Sequence, residues 1–255
     1  MSGLSRWFEL KNTVCVLAGA AGLLGRTCEE ALLDCGAQVV SVDLGFKHTS
    51  RAKQIPADLT NSQQIAGLFK ELELMGSEER AWTFINCSYP RSQDWGKLGF
   101  EDVPLESWNE NVRIHLGSTF SFAQNAVQLM KPRGGGSLIH FGSIYGVVGP
   151  DLGIYEGTSM KNPAPYAAIK GGIISLSRYI ASAYGRDGIR SNVICPGGIE
   201  DGQPRSFVEA YSRKTPLGRM ASSADIAGVV AFLSGPSSRY VTGQTLMVDG
   251  GWTAW

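Results

Sequence analysis

Thr13–Gly25 reads TVCVLAGAAGLLG. Its first six residues, Thr13–Ala18, form an apolar run without polar alternation, the pattern of a strand covered on both faces. Glycines follow at 19, 22 and 25, and then a helical pattern runs to about Asp34, with Gly36 as its stop. Gly19 allows a tight turn, Gly22 lets a pyrophosphate approach the backbone, and Gly25 lets the helix pack on the strand. Phosphates would then sit at a helix N-terminus, where free N–H groups and the dipole favour anions. A plain strand-to-helix turn can carry the same glycines. Context favours the dinucleotide reading, because the turn follows the first strand, opens a helix, and is succeeded by Asp43 at the end of the next strand. A carboxylate there accepts both ribose hydroxyls of NAD and repels the 2′-phosphate of NADP. Lys47 and Arg51 lie nearby in sequence and would soften that discrimination.

Outward from this turn, strand-like and helical stretches alternate. Further strands are expected at Gln38–Asp43, Gln54–Asp58, Trp82–Asn86, Ser137–Phe141, Arg190–Cys195 and Gln244–Val248. Helical patterns cover Glu106–Met130, Tyr166–Tyr184 and Ser222–Leu233, and Asn61 can cap one running to about Met75. Repeated strand–helix units with short connections imply an α/β fold, a parallel sheet with helices on both faces. No repeat, linker or charge block divides the 255 residues, so one domain is expected, 1–255. Two irregular stretches, near 146–165 and 196–220, have the character of binding loops.

Composition narrows the class. The 23 basic and 23 acidic residues cancel, which argues against a nucleic-acid or membrane-surface protein. The longest apolar stretch, Val14–Gly25, is shorter than the ~18 residues that a membrane span needs. Glu9 and Lys11 break the N-terminal region where a signal peptide would be apolar, so a cytoplasmic protein is expected. Five cysteines without a CxxC pair, and His48, His115 and His140, offer no zinc spacing and no metal site.

Tyr166 and Lys170 stand at i and i+4, on one helix face. A phenol is a poor base at neutral pH, and a neighbouring ammonium favours the phenolate. The alternative is an ordinary surface pair. Ser143 ends the fifth strand, where open α/β sheets bind ligands, and its hydroxyl can bond the reacting oxygen.

Several ordered motifs span residues 9 to 251: AGAAGLLG at 18–25, INCSYP at 85–90, FGSIYG at 141–146, YAAIK at 166–170, NVICPGG at 192–198 and VTGQTLMVDGG at 241–251. With them the chain resembles the short-chain dehydrogenase/reductase family. The resemblance implies a single doubly wound Rossmann domain with seven parallel strands, assembled as a homotetramer or dimer. It implies hydride transfer between NAD(P) and a hydroxyl or carbonyl carbon. Tyr166 would be the acid/base, Lys170 would bind the nicotinamide ribose and lower the Tyr166 pKa, and Ser143 would orient the substrate oxygen. The implied coenzyme set is Gly19, Gly22, Leu24, Gly25, Asp43, Asp58, Leu59, Asn86, Ser88, Tyr166, Lys170, Pro196, Gly197 and Ile199.

Three departures stand out. The glycine turn has the spacing GxxGxxG, closer to a sugar-nucleotide branch of the superfamily. The family's small glycine after the fourth strand is the bulky Tyr89. Where the family has a helix asparagine, the chain has His115, which retains the backbone carbonyl through which a water relay can run and is an alternative catalytic group. Tyr89, Arg91, Ser143 and Tyr145 are the expected substrate contacts. Arg91, with Lys161, Arg205, Arg213 and Lys214 in the irregular stretches, suits an anionic substrate such as a sugar phosphate or nucleotide sugar. Short motifs around Asn86–Arg91 and Gly153–Met160 resemble oxidoreductases of flagellin-modification and nonulosonic-acid sugar clusters. The expectation is an NAD-linked oxidoreductase on a sugar-derived alcohol or ketone. Its competitors are a 3-oxoacyl thioester reductase and a non-catalytic dinucleotide sensor. The tail Trp252–Trp255 is expected at a subunit interface.

Overall fold

The computed structural model describes residues 5–47, 49–75 and 81–255; His48 lies outside them. Seven strands, β1 (Thr13–Ala18), β2 (Gln38–Asp43), β3 (Lys53–Pro56), β4 (Ala81–Asn86), β5 (Gly136–Phe141), β6 (Ile189–Pro196) and β7 (Thr245–Val248), form one sheet in the order β3-β2-β1-β4-β5-β6-β7. Every pair is parallel. This is the expected single Rossmann-like α/β domain. The order reverses between β1 and β4, which opens a crevice at their carboxyl ends, the ligand position of such sheets.

Alternate residues of the strands face two cores. Val14, Val16, Phe84 and Leu138 pack with Leu68, Phe69 and Phe122, which come from α3 (Ser62–Glu73) and α5 (Ser118–Met130). Phe84 stacks on Phe69 at 5.4 Å and meets Phe122 edge-on at 5.9 Å. On the other face Cys15, Leu17, Ile85 and Ile139 pack with Leu32 of α2 (Leu23–Asp34) and Ile226 and Val230 of α8 (Ser223–Ser234). The expected Asn61 cap forms, and a second cap stands at Ser222. The Asn61 side chain accepts from the amides of Gln63 and Gln64. Ser222 and Asp225 make a capping box, and Arg219 beside Asp225 holds that carboxyl well below its usual range.

Several expectations are corrected. The helical stretch beginning near residue 105 is not one helix. It comprises α4 (Leu105–Asn111), a π-helical turn (Val112–Gly117) and α5. The segment near 196–220 contains a helix, α7 (Arg205–Lys214), which buries Phe207 and Tyr211. β3 ends at Pro56, so Asp58 lies beyond it. Arg51 is remote from Asp43. β3 runs parallel to β2 with Lys53 opposite Val40 and Pro56 opposite Asp43, so Arg51 stands at the far end of the sheet, where it pairs with Asp34. Among the described residues, no helix is long and apolar enough to cross a membrane. The remaining helices are a short N-terminal turn, α1 (Ser5–Phe8), and the long α6 (Ala164–Tyr184).

Candidate functional site

The crevice is an open cleft of about 1380 Å³ that runs from the glycine turn to α7. At the first end Gly19 has φ +80°, and a Cβ there would lie 2.7 Å from the Ser88 amide. A Cβ on Gly25 would lie 2.1 Å from the Gly19 carbonyl oxygen, so only glycine lets α2 start against the turn. Gly22 is the N-cap of α2, and a Cβ there would meet only the Gly19 oxygen at 3.3 Å. Gly22, Leu23, Leu24 and Gly25 line the cleft, and first-turn amides have no intrahelical acceptor. These groups fit a pyrophosphate. Asp43 lines the same end; its carboxylate accepts from the amides of Ala21 (2.9 Å) and Leu44 (2.8 Å) and retains further acceptor positions. Neither Lys47 nor Arg51 lines the cleft.

Asp58, Leu59, Ser88, Pro196, Gly197 and Ile199 also line the cleft. Asn86 does not. It is buried, accepts from the amide (3.1 Å) and hydroxyl (2.6 Å) of Ser88, and reaches Thr119 Oγ1 at 3.5 Å. It braces the turn that carries Ser88.

Ser143, Tyr166 and Lys170 come together at the centre of the cleft. Ser143 caps the turn after β5 and accepts from the Tyr145 amide. Tyr166 and Lys170 sit near the start of α6, which Pro163 and Pro165 open. Burial pushes the Tyr166 phenol above its ordinary range, opposed by its hydrogen bond with Ser143. The expected lowering by Lys170 is not seen. The Lys170 ammonium lies 5.6 Å from the Tyr166 ring centre and donates to the Phe141 carbonyl at 2.9 Å. Burial pushes Lys170 down to about 8.

His115 occupies the π turn. Its Nε2 is 3.5 Å from Lys170 Nζ, and its Nδ1 has no partner among the described residues. Burial, with the Lys170 charge second, pushes it down to about 2, so the imidazole is neutral. Its carbonyl accepts from Thr119 Oγ1 (2.8 Å) and Ser118 Oγ (3.1 Å). The carbonyl therefore has its acceptor positions filled, and the ring faces Lys170 instead. Nearby Asn111 is spent on Ser92 and Ser107. His140 is buried in β5 and does not reach the cleft.

Tyr89 builds one wall. Its ring stands edge-to-face against His115 (5.3 Å), Trp95 (5.8 Å) and Tyr166 (6.0 Å), and its hydroxyl accepts from Trp95 Nε1 at 3.0 Å. Arg91 lies 5.8 Å from the same ring. Arg91 and Lys161 line the cleft and have no carboxylate partner among the described residues. Arg205 and Lys214 are corrected: they pair with Glu209 and Asp151. Arg213 does not line the cleft. Tyr145 lines the cleft while its hydroxyl is buried. Sequence reasoning missed Trp95, Tyr155, Phe207 and Tyr211, aromatic residues that complete the wall from distant segments. Among the described residues no three metal-ligating side chains cluster.

Comparison with known proteins agrees with this geometry. The family model described as Enoyl-(Acyl carrier protein) reductase matches residues 19–253. A "Post-translational flagellin modification protein A" of Campylobacter coli is 32% identical over 95% of this chain and 99% of its own. A 7alpha-hydroxysteroid dehydrogenase of Bacteroides fragilis is 28% identical over 96% of both chains. The crystal structure of a short chain dehydrogenase from Leptospira borgpetersenii with bound NAD+ is 36% identical, covering 99% of this chain and 96% of that one, with a TM-score of 0.87. With its glycine turn, its Ser143–Tyr166–Lys170 cluster and these relatives, the chain belongs to the short-chain dehydrogenase/reductase family of oxidoreductases.

Proposed function

We propose that this enzyme interconverts a secondary alcohol and a ketone on a sugar-derived substrate that carries a phosphate or nucleotide, with NAD(H) as its coenzyme. The observation that carries the substrate reading is the pair Arg91 and Lys161, cations that have no carboxylate partner among the described residues and line the same cleft as Ser143 and Tyr166. A steroid would leave both without a counter-charge. The relative named for flagellin modification supports a substrate destined for covalent attachment to protein. Asp43, a carboxylate that lines the cleft at the glycine turn, supports NAD over NADP.

Bound nicotinamide coenzyme supplies or takes the hydride. Ser143 donates to the substrate oxygen and fixes its position. Tyr166 gives its phenolic proton to that oxygen in reduction and takes it back in oxidation. Lys170, which lines the cleft beside Tyr166, would hold the coenzyme through a ribose hydroxyl. His115, neutral and facing Lys170, orients that ammonium. Tyr89 and Tyr145 form the sides against which the substrate ring rests. Residues 1–255 act as one domain in the cytoplasm, with 146–165 and 196–220 on the substrate side, and the chain assembles as a homo-oligomer.

Turnover of keto sugar phosphates, keto nucleotide sugars, their unphosphorylated counterparts and an acetoacetyl thioester tests this reading, with Arg91→Ala beside the parent enzyme. The expected result is a preference for the phosphorylated sugar and a KM raised far more than kcat is lowered in Arg91→Ala. Preferred turnover of the thioester would replace it with an acyl thioester reductase. Coenzyme binding without any turnover would indicate a sensor.

A further inference from the structure

We infer that Asn111 is a positioning residue for substrate selection: from the end of α4 it clamps the 89–97 segment and sets where Trp95 and Arg91 stand relative to Tyr166. That role rests on reading the cleft as the site of an anionic sugar.

The 89–97 segment follows β4 and carries three side chains that line the cleft, Tyr89, Arg91 and Trp95. It belongs to no strand or helix, so no backbone ladder fixes them. Asn111 supplies the fixation. It is 1% exposed. Its Oδ1 accepts from the Ser92 amide at 3.0 Å, and its Nδ2 donates to Ser92 Oγ and to the Ser107 carbonyl, both at 2.8 Å. The carboxamide thereby uses both N–H donors and its acceptor, with the segment held at two atoms of Ser92. Ser92 extends the grip. Its hydroxyl donates to Asp94, whose carboxyl the hydrogen bonds of Ser107 and then Ser92 hold below its ordinary range. Its carbonyl accepts from the Trp95 amide at 3.3 Å. Gly96, at φ +73°, then turns the chain in a conformation that favours glycine.

The residue held in this way stands beside the reacting centre. The Trp95 ring lies 6.2 Å from that of Tyr166. Its Nε1 is spent on the Tyr89 hydroxyl at 3.0 Å, so what the indole offers a ligand is apolar ring surface. Arg91 adds a cation from the same segment. An apolar ring with a guanidinium close by suits the C–H face of a sugar that carries a phosphate. Asn111 also directly precedes the π turn whose His115 faces Lys170. One stretch of chain therefore braces the substrate wall through Asn111 and the ammonium through His115.

Asn111→Ala removes the clamp. Ser92→Ala removes one half of it from the exposed side and serves if the first variant folds poorly. Trp95 emission, taken in each background as the difference from its Trp95→Phe counterpart, reads the clamp without substrate. A red shift and readier quenching by acrylamide are expected in both variants. With the preferred keto sugar phosphate or nucleotide sugar, KM should rise about tenfold while kcat stays within about threefold and the Kd for NADH is unchanged. The double variant should be no worse than Asn111→Ala, because both changes break one contact. A merely structural asparagine would lower the melting temperature and leave Trp95 emission and KM as they are. Unchanged emission, an unchanged KM, or a loss carried by kcat or by NADH affinity overturns the proposal and leaves the sugar reading standing. If the parent prefers the acetoacetyl thioester, the sugar reading fails, and a KM for the thioester that rises in Asn111→Ala upholds the positioning role while an unchanged one overturns it. A parent that turns over none of these substrates overturns both.

Discussion

The imidazole Nε2 of His115 lies 3.5 Å from the ammonium of Lys170, while the His115 carbonyl is taken by Thr119 and Ser118. A neutral ring can accept from the ammonium and orient it without adding charge. Since burial and Lys170 hold His115 at about 2, the imidazole does not titrate between pH 5 and 7. The kcat profile of the parent enzyme is expected to be flat there. His115→Asn, which keeps an acceptor, retains most of kcat. His115→Phe, which fills the space without one, loses about tenfold at an unchanged Kd for NADH. An inflection near pH 6.5 that vanishes in His115→Asn would contradict a neutral histidine.

Lys170 is a buried cation whose folded pKa, about 8, lies below its unfolded value. Between those two values the unfolded chain binds more protons than the folded one, so this group's contribution to stability rises as pH increases through that window. Below pH 8 its burial cost is fully present. Lys170→Met is therefore expected to melt higher than the parent at pH 7, with the difference shrinking by pH 10, while turnover is lost. Thermal melts of both proteins across pH 7–10 check this, and a lower melting temperature in the methionine variant at pH 7 would count against it.

Asp43 stands at the glycine turn through its bond to the Ala21 amide. Asp43→Asn removes the negative charge that repels a 2′-phosphate. The ratio of kcat/KM for NAD to that for NADP is expected to fall at least tenfold. An unchanged ratio would mean that another group selects the coenzyme.

Gly25→Ala places a methyl 2.1 Å from the Gly19 oxygen, against backbone that has little room to give. Overpacking of this kind costs about 1–3 kcal/mol, roughly 2–4 °C of melting temperature per kcal/mol at this size. NADH affinity should fall with it, because the turn that must move is the one proposed to hold the pyrophosphate. Gly149→Ala, where the added Cβ meets nothing within 4 Å, is the control and should leave both readings unchanged.

The sheet was legible because its strands are short apolar runs set off by glycine and helix caps, signals that depend on neighbours in sequence. Asn61 capped the helix its side chain predicts. α7 was not legible because only Phe207 and Tyr211 of its ten residues are buried, and the surfaces they pack on come from residues 144–155 and 252. The π turn at Val112–Gly117 changes hydrogen bonding without changing the apolar pattern. Arg51 looked close to Asp43 in sequence, and the parallel return into β3 carried it to the other end of the sheet. Ser143, Tyr166 and Lys170 were found by motif, whereas the partners of Lys170 and the aromatic wall around Tyr89 depend on long-range packing.

The most direct test of hydride transfer with Tyr166 as the acid/base is to supply NADH deuterated at both C4 positions with the keto sugar phosphate or nucleotide sugar turned over fastest and to weigh the product. One deuterium on the new carbinol carbon is expected with the parent enzyme. With Tyr166→Phe the rate should fall at least 100-fold while NADH binds within about threefold of the parent. Equal deuterium incorporation at equal rates by the two proteins would contradict Tyr166 as the proton donor, and a product without deuterium would contradict hydride transfer in this cleft.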